Sequence, residues 1–295
     1  MRIALIGYGE VGRILAEDLR GHALSAFDLK GSSAMQAHAA AQGVQWAASH
    51  AEAVQGAGLV ISAVTASQAV PVAEACAPTL QPGAYVLDLN SASPGAKQRA
   101  AALVDAAGGR YVEGAVMTSV PPYRLRVPLL LGGPHAAALA PVLTGLGFAP
   151  RVHDARLGVA SATKMCRSVL IKGMEAMFIE SLTTARHYGV EDAVLASLQE
   201  TFPGVDWQKQ ASYFFQRVIE HGRRRSEEVR EVAETVREAG LTPWSAAGTA
   251  ERQAWMADLA DAGVFGERGS AGFARSPDWR AEADRLLDRI KETQD

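Results

Sequence analysis

Residues 3–6 form an apolar run, Ile3-Ala4-Leu5-Ile6, that passes directly into Gly7-Tyr8-Gly9-Glu10-Val11-Gly12 and then into a helical pattern. A strand turning into a helix through three glycines at this spacing leaves the chain few folds to choose from. Gly7 is expected to permit the tight turn, Gly9 to let the backbone approach a ligand, and Gly12 to let the helix pack closely on the strand. The free N–H groups and the positive dipole end of such a helix favour an anion. Asp28 ends the next apolar run, 21 positions after Gly7. An acid there is placed to bond both hydroxyls of a ribose. Together these features read as a dinucleotide site made of Gly7, Tyr8, Gly9, Glu10, Val11, Gly12 and Asp28. Asp28 repels a 2′-phosphate, so NAD is favoured over NADP; Lys30 close by keeps NADP possible.

A chain of 295 residues suits two domains. In the first half, further apolar runs at 23–27, 59–64 and 85–89, with weaker ones at 44–47 and 111–112, alternate with helical patterns. Runs apolar on both faces read as parallel strands covered by helices on each side. Helix starts are marked by the Ser49/Glu52 capping box and by Ser93-Pro94. The reading is an α/β fold: a doubly wound parallel sheet of the Rossmann type over residues 1–155. From 156 to 295 strand signals stop. Helical patterns cover 157–188, 191–201, 206–221, 225–239, 244–262 and 277–293, with Ser276-Pro277 as a helix start and Gly240 as a helix stop. This second domain is expected to be all-α.

Lys+Arg 29 against Asp+Glu 32 gives a net charge of -3, without the basic excess of a nucleic-acid binder. No apolar stretch reaches the ~18 residues of a membrane span. Gly7, Gly9 and Glu10 interrupt any signal-peptide core. Cys76 and Cys166 cannot form a disulfide framework; both fall in apolar helical patterns and are expected to be reduced core residues, which suits the cytoplasm. The seven histidines show no ligand spacing, so no metal site is expected.

Ligands of open parallel sheets bind at the carboxyl ends of the strands. Thr65 follows the 59–64 run, and Asn90 and Ser91 follow the 85–89 run, so they are candidate contacts to the ribose or nicotinamide; the same residue types are also common turn formers. Lys164, Ser168 and Lys172 stand at i, i+4 and i+8 on the long helix and share one face. An amine beside apolar surface and near another cation loses its proton more easily, which suits general acid/base work. The alternative is a lysine whose stem lies along the surface with its charge in water.

The glycine loop, Asp88-Leu89-Asn90-Ser91, Leu129-Leu130-Leu131-Gly132-Gly133 and the helix running from Gly158 through Lys164 resemble the β-hydroxyacid dehydrogenases, a family related to 6-phosphogluconate dehydrogenase. The likeness extends over nearly the whole chain, and the second half is most similar to a poorly characterised branch with a phosphogluconate-dehydrogenase-like C-terminal domain. The resemblance implies a Rossmann domain, a helical substrate and dimerisation domain, a homodimer, and Lys164 as the catalytic acid/base with Ser168 orienting it or the substrate. It also marks departures. The family's Ser-Gly-Gly segment is replaced by Met117-Thr118-Ser119, its asparagine after the lysine by Ser168, and its later lysine by Glu227. Met117, Thr118, Ser119 and Lys172 are therefore candidate substrate contacts; Arg124, Arg126, and His221 with Arg223, Arg224 and Arg225 are further cationic candidates. The implied reaction is NAD(P)-dependent hydride transfer between the nicotinamide and a small hydroxy acid or related alcohol. Two alternatives are an imine reductase, against which Lys164 speaks, and an NAD(P)-binding sensor without turnover.

Overall fold

The apolar run behind the glycine loop is the strand β1 (Arg2–Ile6), and it lies in the middle of the sheet. The computed structural model describes residues 1–292 apart from 271, 274, 275 and 277. In chain order the first part contains α1 (Glu10–Asp18), β2 (Ala23–Phe27), α2 (Ser33–Ala41), β3 (Gln45–Trp46), α3 (His50–Val54), β4 (Leu59–Ser62), α4 (Ala69–Cys76), β5 (Tyr85–Asp88) and α5 (Pro94–Ala106). It continues with β6 (Arg110–Val116), β7 (Leu129–Gly132), α6 (Ala136–Gly145) and β8 (Pro150–Asp154). The helices α7 (Val159–Tyr188), α8 (Glu191–Thr201), α9 (Trp207–Glu238), α10 (Trp244–Asp261) and α11 (Trp279–Glu292) follow.

The strand order is β3-β2-β1-β4-β5-β6-β7-β8. Strands β1 to β6 pair in parallel, as expected of strands joined by helical crossovers. Strand β7 departs from this: it pairs antiparallel with β6, since the link between them contains no crossover helix. Alternate residues of β1 enter opposite cores. Ile3 and Leu5 pack with Leu15 of α1, Leu19 just after it and Leu139 and Leu143 of α6, whereas Ala4 and Ile6 pack with Val54, Val72 and Val104 of α3, α4 and α5. The order of strands reverses between β1 and β4, so the sheet opens there at its carboxyl edge.

Two compact units divide the chain, Met1–Cys166 and Arg167–Asp295, and the division falls within α7. The second unit is helical, with a core of Ile179, Leu182, Phe215, Val218, Met256, Phe265, Trp279 and Leu286. Where 206–221 and 225–239 were expected as two helices, α9 is continuous. Gly222 is no breaker: a Cβ there would lie 2.7 Å from the Gln253 carbonyl oxygen, so the glycine admits α10 to close contact. The helix start expected at Pro277 and the helix end expected at Thr293 lie outside the described residues. Cys76 is buried as expected, but Cys166 is exposed, because it occupies an outward position of α7. Among the described residues no helix is long and apolar enough to cross a membrane.

Candidate active site

Each glycine of the loop answers a different constraint. Gly7 has φ +92°, and a Cβ on it would lie 2.4 Å from the Ala63 carbonyl oxygen of the neighbouring strand end. A Cβ on Gly12 would lie 2.2 Å from the Gly7 carbonyl oxygen, so α1 packs on the loop itself. A Cβ on Gly9 would meet nothing, and Gly9 caps α1 without any side-chain bond to its N–H groups. That open, uncapped helix start is what a diphosphate requires. Tyr8 contributes only its backbone to this face. Its ring is fully buried, edge-on to Trp46 and His38, and its hydroxyl meets His38 Nδ1 at 3.2 Å. Burial pushes the Tyr8 phenol up to about 12. Asp28 follows β2, and its carboxylate accepts the Tyr8 N–H at 2.7 Å and the Lys30 N–H at 2.8 Å, which ties the glycine loop to the end of β2. Glu10 and Val11 form the first turn of α1.

At the ends of β4 and β5 the polar side chains are engaged with one another. Asn90 is buried; its Oδ1 accepts the Val64 N–H at 2.6 Å and its Nδ2 donates to Ser62 Oγ at 2.9 Å, fastening the two strand ends together. Thr65 is exposed just beyond β4. Ser91 Oγ accepts a hydrogen bond from Lys164 Nζ at 2.6 Å, and this brings the lysine of α7 to the carboxyl end of β5. Lys164 itself is half-buried.

What holds this corner is a set of buried side chains that no motif marks. Asp88, the last residue of β5, is buried and accepts from Lys97 Nζ at 2.8 Å, from the Asn90 N–H at 2.8 Å and from the Tyr111 hydroxyl at 2.6 Å. Lys97 is 1% exposed. A lysine is buried in this way only when its charge is paired. Burial, together with the Asp88, Glu113 and Asp105 carboxylates, holds the Tyr111 phenol well above the usual range. Glu113 of β6 is also buried. The readable signal was an acid inside an apolar strand, which must find donors or stay outside.

Met117, Thr118 and Ser119 begin the loop between β6 and β7, with Met117 N–H donating to the Pro128 carbonyl at 3.0 Å. Arg124 on the same loop has φ 52°, and its guanidinium grips Asp18 at 2.6 Å and Glu17 at 2.7 Å on α1. It anchors the loop, so its charge is already matched. In the second unit, Ser168 is buried and Lys172 is 7% exposed, with Lys172 Nζ donating to Glu228 Oε2 at 2.6 Å. Burial lowers the Lys172 pKa from its ordinary value, and Glu228 opposes that shift. Arg225, one of the cationic candidates, is buried in a bidentate pair with Glu175, and Gln253 donates to the same carboxylate.

A strand–glycine-loop–helix unit at the reversal point of a mostly parallel sheet, followed by a helical unit, defines an NAD(P)-binding dehydrogenase-like fold. Comparison with known proteins bears this out. Residues 2–147 match the NAD binding domain of 6-phosphogluconate dehydrogenase, and residues 185–256 match a domain of unknown function, DUF1932. A conserved hypothetical protein from Sinorhizobium meliloti 1021 is 37% identical, with 98% of this chain and 96% of that one covered and a TM-score of 0.77. The NAD-dependent L-serine dehydrogenase of Pseudomonas aeruginosa is 29% identical over 223 residues, covering 70% of this chain and 71% of its own. The 3-hydroxyisobutyrate dehydrogenase of Mycobacterium tuberculosis, solved with L-serine, is 19% identical with a TM-score of 0.71 over 97% of this chain and 98% of that one, a likeness of fold. The chain belongs to the 3-hydroxyacid dehydrogenase-like family that joins this NAD-binding domain to the DUF1932 domain. It is an NAD(P)-binding protein of an oxidoreductase family.

Proposed function

We propose that this chain is an NAD(P)-dependent dehydrogenase that interconverts a small hydroxy acid, or a related alcohol, and its carbonyl form, with Lys164 as general acid/base. The observation that carries the reading is the 2.6 Å bond between Lys164 Nζ and Ser91 Oγ at the carboxyl end of β5. It sets an amine at the edge of the sheet where ligands of this fold bind. The 29% identity to an NAD-dependent L-serine dehydrogenase supports a hydroxy acid as the substrate class.

A bound nicotinamide would supply the redox chemistry, that of a hydride acceptor for the carbinol carbon. The chain's own residues bind, orient and move the proton. Backbone N–H groups of Gly9, Glu10, Val11 and Gly12 would hold the diphosphate, and the Asp28 carboxylate would take the ribose hydroxyls and disfavour a 2′-phosphate, making NAD the preferred form. In the oxidative direction the neutral Lys164 amine takes the substrate hydroxyl proton; in the reductive direction its ammonium returns it. The Ser91 hydroxyl holds that nitrogen in place. Ser168 follows Lys164 by one turn of α7, and Thr118 and Ser119 offer backbone and hydroxyl donors for a carboxylate, the Met117 N–H being taken by the Pro128 carbonyl.

The test is a panel of 2- and 3-hydroxy acids, aldonates, aryl alcohols and cyclic imines, followed by the absorbance of reduced nicotinamide with NAD and NADP in parallel. On the substrate found, Lys164→Ala is expected to keep NAD binding and lower turnover by at least ~10²-fold, the usual worth of a general acid/base. Unchanged turnover removes Lys164 from the chemistry. Reduction of imines alone reassigns the reaction, and binding without any turnover makes the chain a sensor. The two free cysteines suit a cytoplasmic protein. Leu170, Met177, Tyr188 and Trp244 of the second unit leave large apolar surface uncovered, with Trp244 81% exposed, which supports a homodimer measurable by sedimentation.

A further inference from the structure

Glu113 sits in the middle of the sheet, level with Asp88 on β5 and Gly132 on β7. It is fully buried, and its carboxylate is met by three donors. The N–H groups of Gly158 and Ala160 reach Oε1, each at 3.0 Å, and the Ser161 hydroxyl reaches Oε2 at 2.8 Å. These donors are the last residue before α7 and its first turn. A helix start has free N–H groups and a positive dipole end, so a negative charge there both satisfies the donors and is stabilised by them. The sheet is shaped for this contact. A Cβ on Gly132 would lie 2.2 Å from Glu113 Oε1, so a glycine leaves room for the carboxylate.

Ser161 precedes Lys164 by three residues, about one helical turn, on the same side of α7. The neighbouring carboxylate, Asp88, precedes Ser91 by three residues and is itself held by Lys97, Tyr111 and the Asn90 N–H. The two partners of the 2.6 Å bond, Lys164 and Ser91, therefore each stand three residues beyond an anchor set by one of two adjacent buried carboxylates. We propose that Glu113 is a positioning residue of the active site: it fixes the first turn of α7 and so sets the Lys164 amine against the Ser91 hydroxyl. This rests on the reading of Lys164 as general acid/base. Glu113 itself is walled in by strand and helix and acts through the backbone and Ser161.

Loosening that turn lengthens the Lys164–Ser91 bond. The Ser91 oxygen accepts from the ammonium form and favours it, so losing the bond makes Lys164 easier to deprotonate. The limb of the oxidative kcat profile that reports neutral Lys164 then moves to lower pH. A merely structural loss of folded protein scales the whole profile and moves no limb.

The experiment compares Glu113→Gln, Ser161→Ala, Ser91→Ala and Lys164→Ala in the full chain, by kcat against pH and by NAD titration. Glu113→Gln keeps the shape and puts an NH2 where an acceptor stood. The expected result is kcat lowered by at least ~10-fold, a cost in keeping with misplaced catalytic groups. NAD affinity stays within about two-fold of wild type, and the limb moves in the direction it takes in Ser91→Ala. Ser161→Ala removes one of the three donors and gives a smaller change of the same sign; it decides the matter if Glu113→Gln does not fold. Wild-type kcat, or a scaled profile with an unmoved limb, overturns the positioning role. Full activity in Lys164→Ala instead overturns the reading of Lys164, whatever Glu113→Gln does.

Discussion

At the scale of single residues, the buried Lys97–Asp88 pair is a contact whose loss is costly. Lys97 Nζ lies 2.8 Å from Asp88 Oδ1 and also donates to the Asp88 carbonyl at 3.0 Å, and neither side chain sees water. Removing one partner of a buried pair leaves the other charge without compensation, at a cost of about 3–5 kcal/mol. Lys97→Met is therefore expected to lower the unfolding free energy by that amount, read from urea denaturation. Adding Asp88→Asn, which removes the stranded charge, is expected to recover part of it. A single variant as stable as wild type shows that the Tyr111 hydroxyl and the Asn90 N–H suffice for Asp88. At this scale the sequence was legible where the backbone needs a special residue, as with Gly7 and Gly12. It was not legible where two side chains meet across the fold. Ser91 read as a cofactor contact, and nothing in its neighbours signals a lysine 73 positions away.

Among the elements, α9 shows which of two effects of one glycine prevails. Gly222 costs the helix about 1 kcal/mol relative to alanine in intrinsic propensity. An alanine Cβ there would meet the Gln253 carbonyl oxygen at 2.7 Å and Ala257 Cβ at 3.3 Å, both on α10. Forcing a methyl into such a contact costs about 1–3 kcal/mol, so Gly222→Ala is expected to destabilise on balance. A rise in the thermal midpoint would mean that α10 yields easily and that the close approach is not what the glycine serves. The same position explains why α9 was expected as two helices: a glycine beside an arginine run looks like a break, and only packing against a partner helix says otherwise. Strand β6 was expected at 111–112 and runs Arg110–Val116, because Glu113 and Gly114 interrupt its apolar pattern. The partners of Glu113 lie 45 to 48 residues away, beyond the reach of periodicity. The parallel strands β1, β2, β4 and β5 were legible, being apolar on both faces.

For the whole molecule, the buried thiol of Cys76 couples stability to alkaline pH. Burial pushes it up to about 12, against about 8.5 for a thiol in the unfolded chain. The folded state thus keeps a proton that the unfolded state gives up. The stability this provides is fully present below about pH 8.5 and falls by about 1.4 kcal/mol per pH unit above it, until the folded thiol titrates near 12. Tyr8 and Tyr111, also raised, add to the loss only above about pH 10. Lys172 works the other way. Its lowered value means that the unfolded state holds more protons as pH climbs toward about 10.4, so its contribution to stability rises over that range. Comparing wild type with Cys76→Ala leaves Tyr8, Tyr111 and Lys172 common to both. Between pH 7.5 and 10, wild type is expected to lose about 2 kcal/mol more than the variant in urea unfolding. Identical losses in the two proteins would mean that water reaches Cys76 in the folded state, which would leave α4 less tightly packed on β4 and β5 than its burial among Val60, Val72 and Val86 describes.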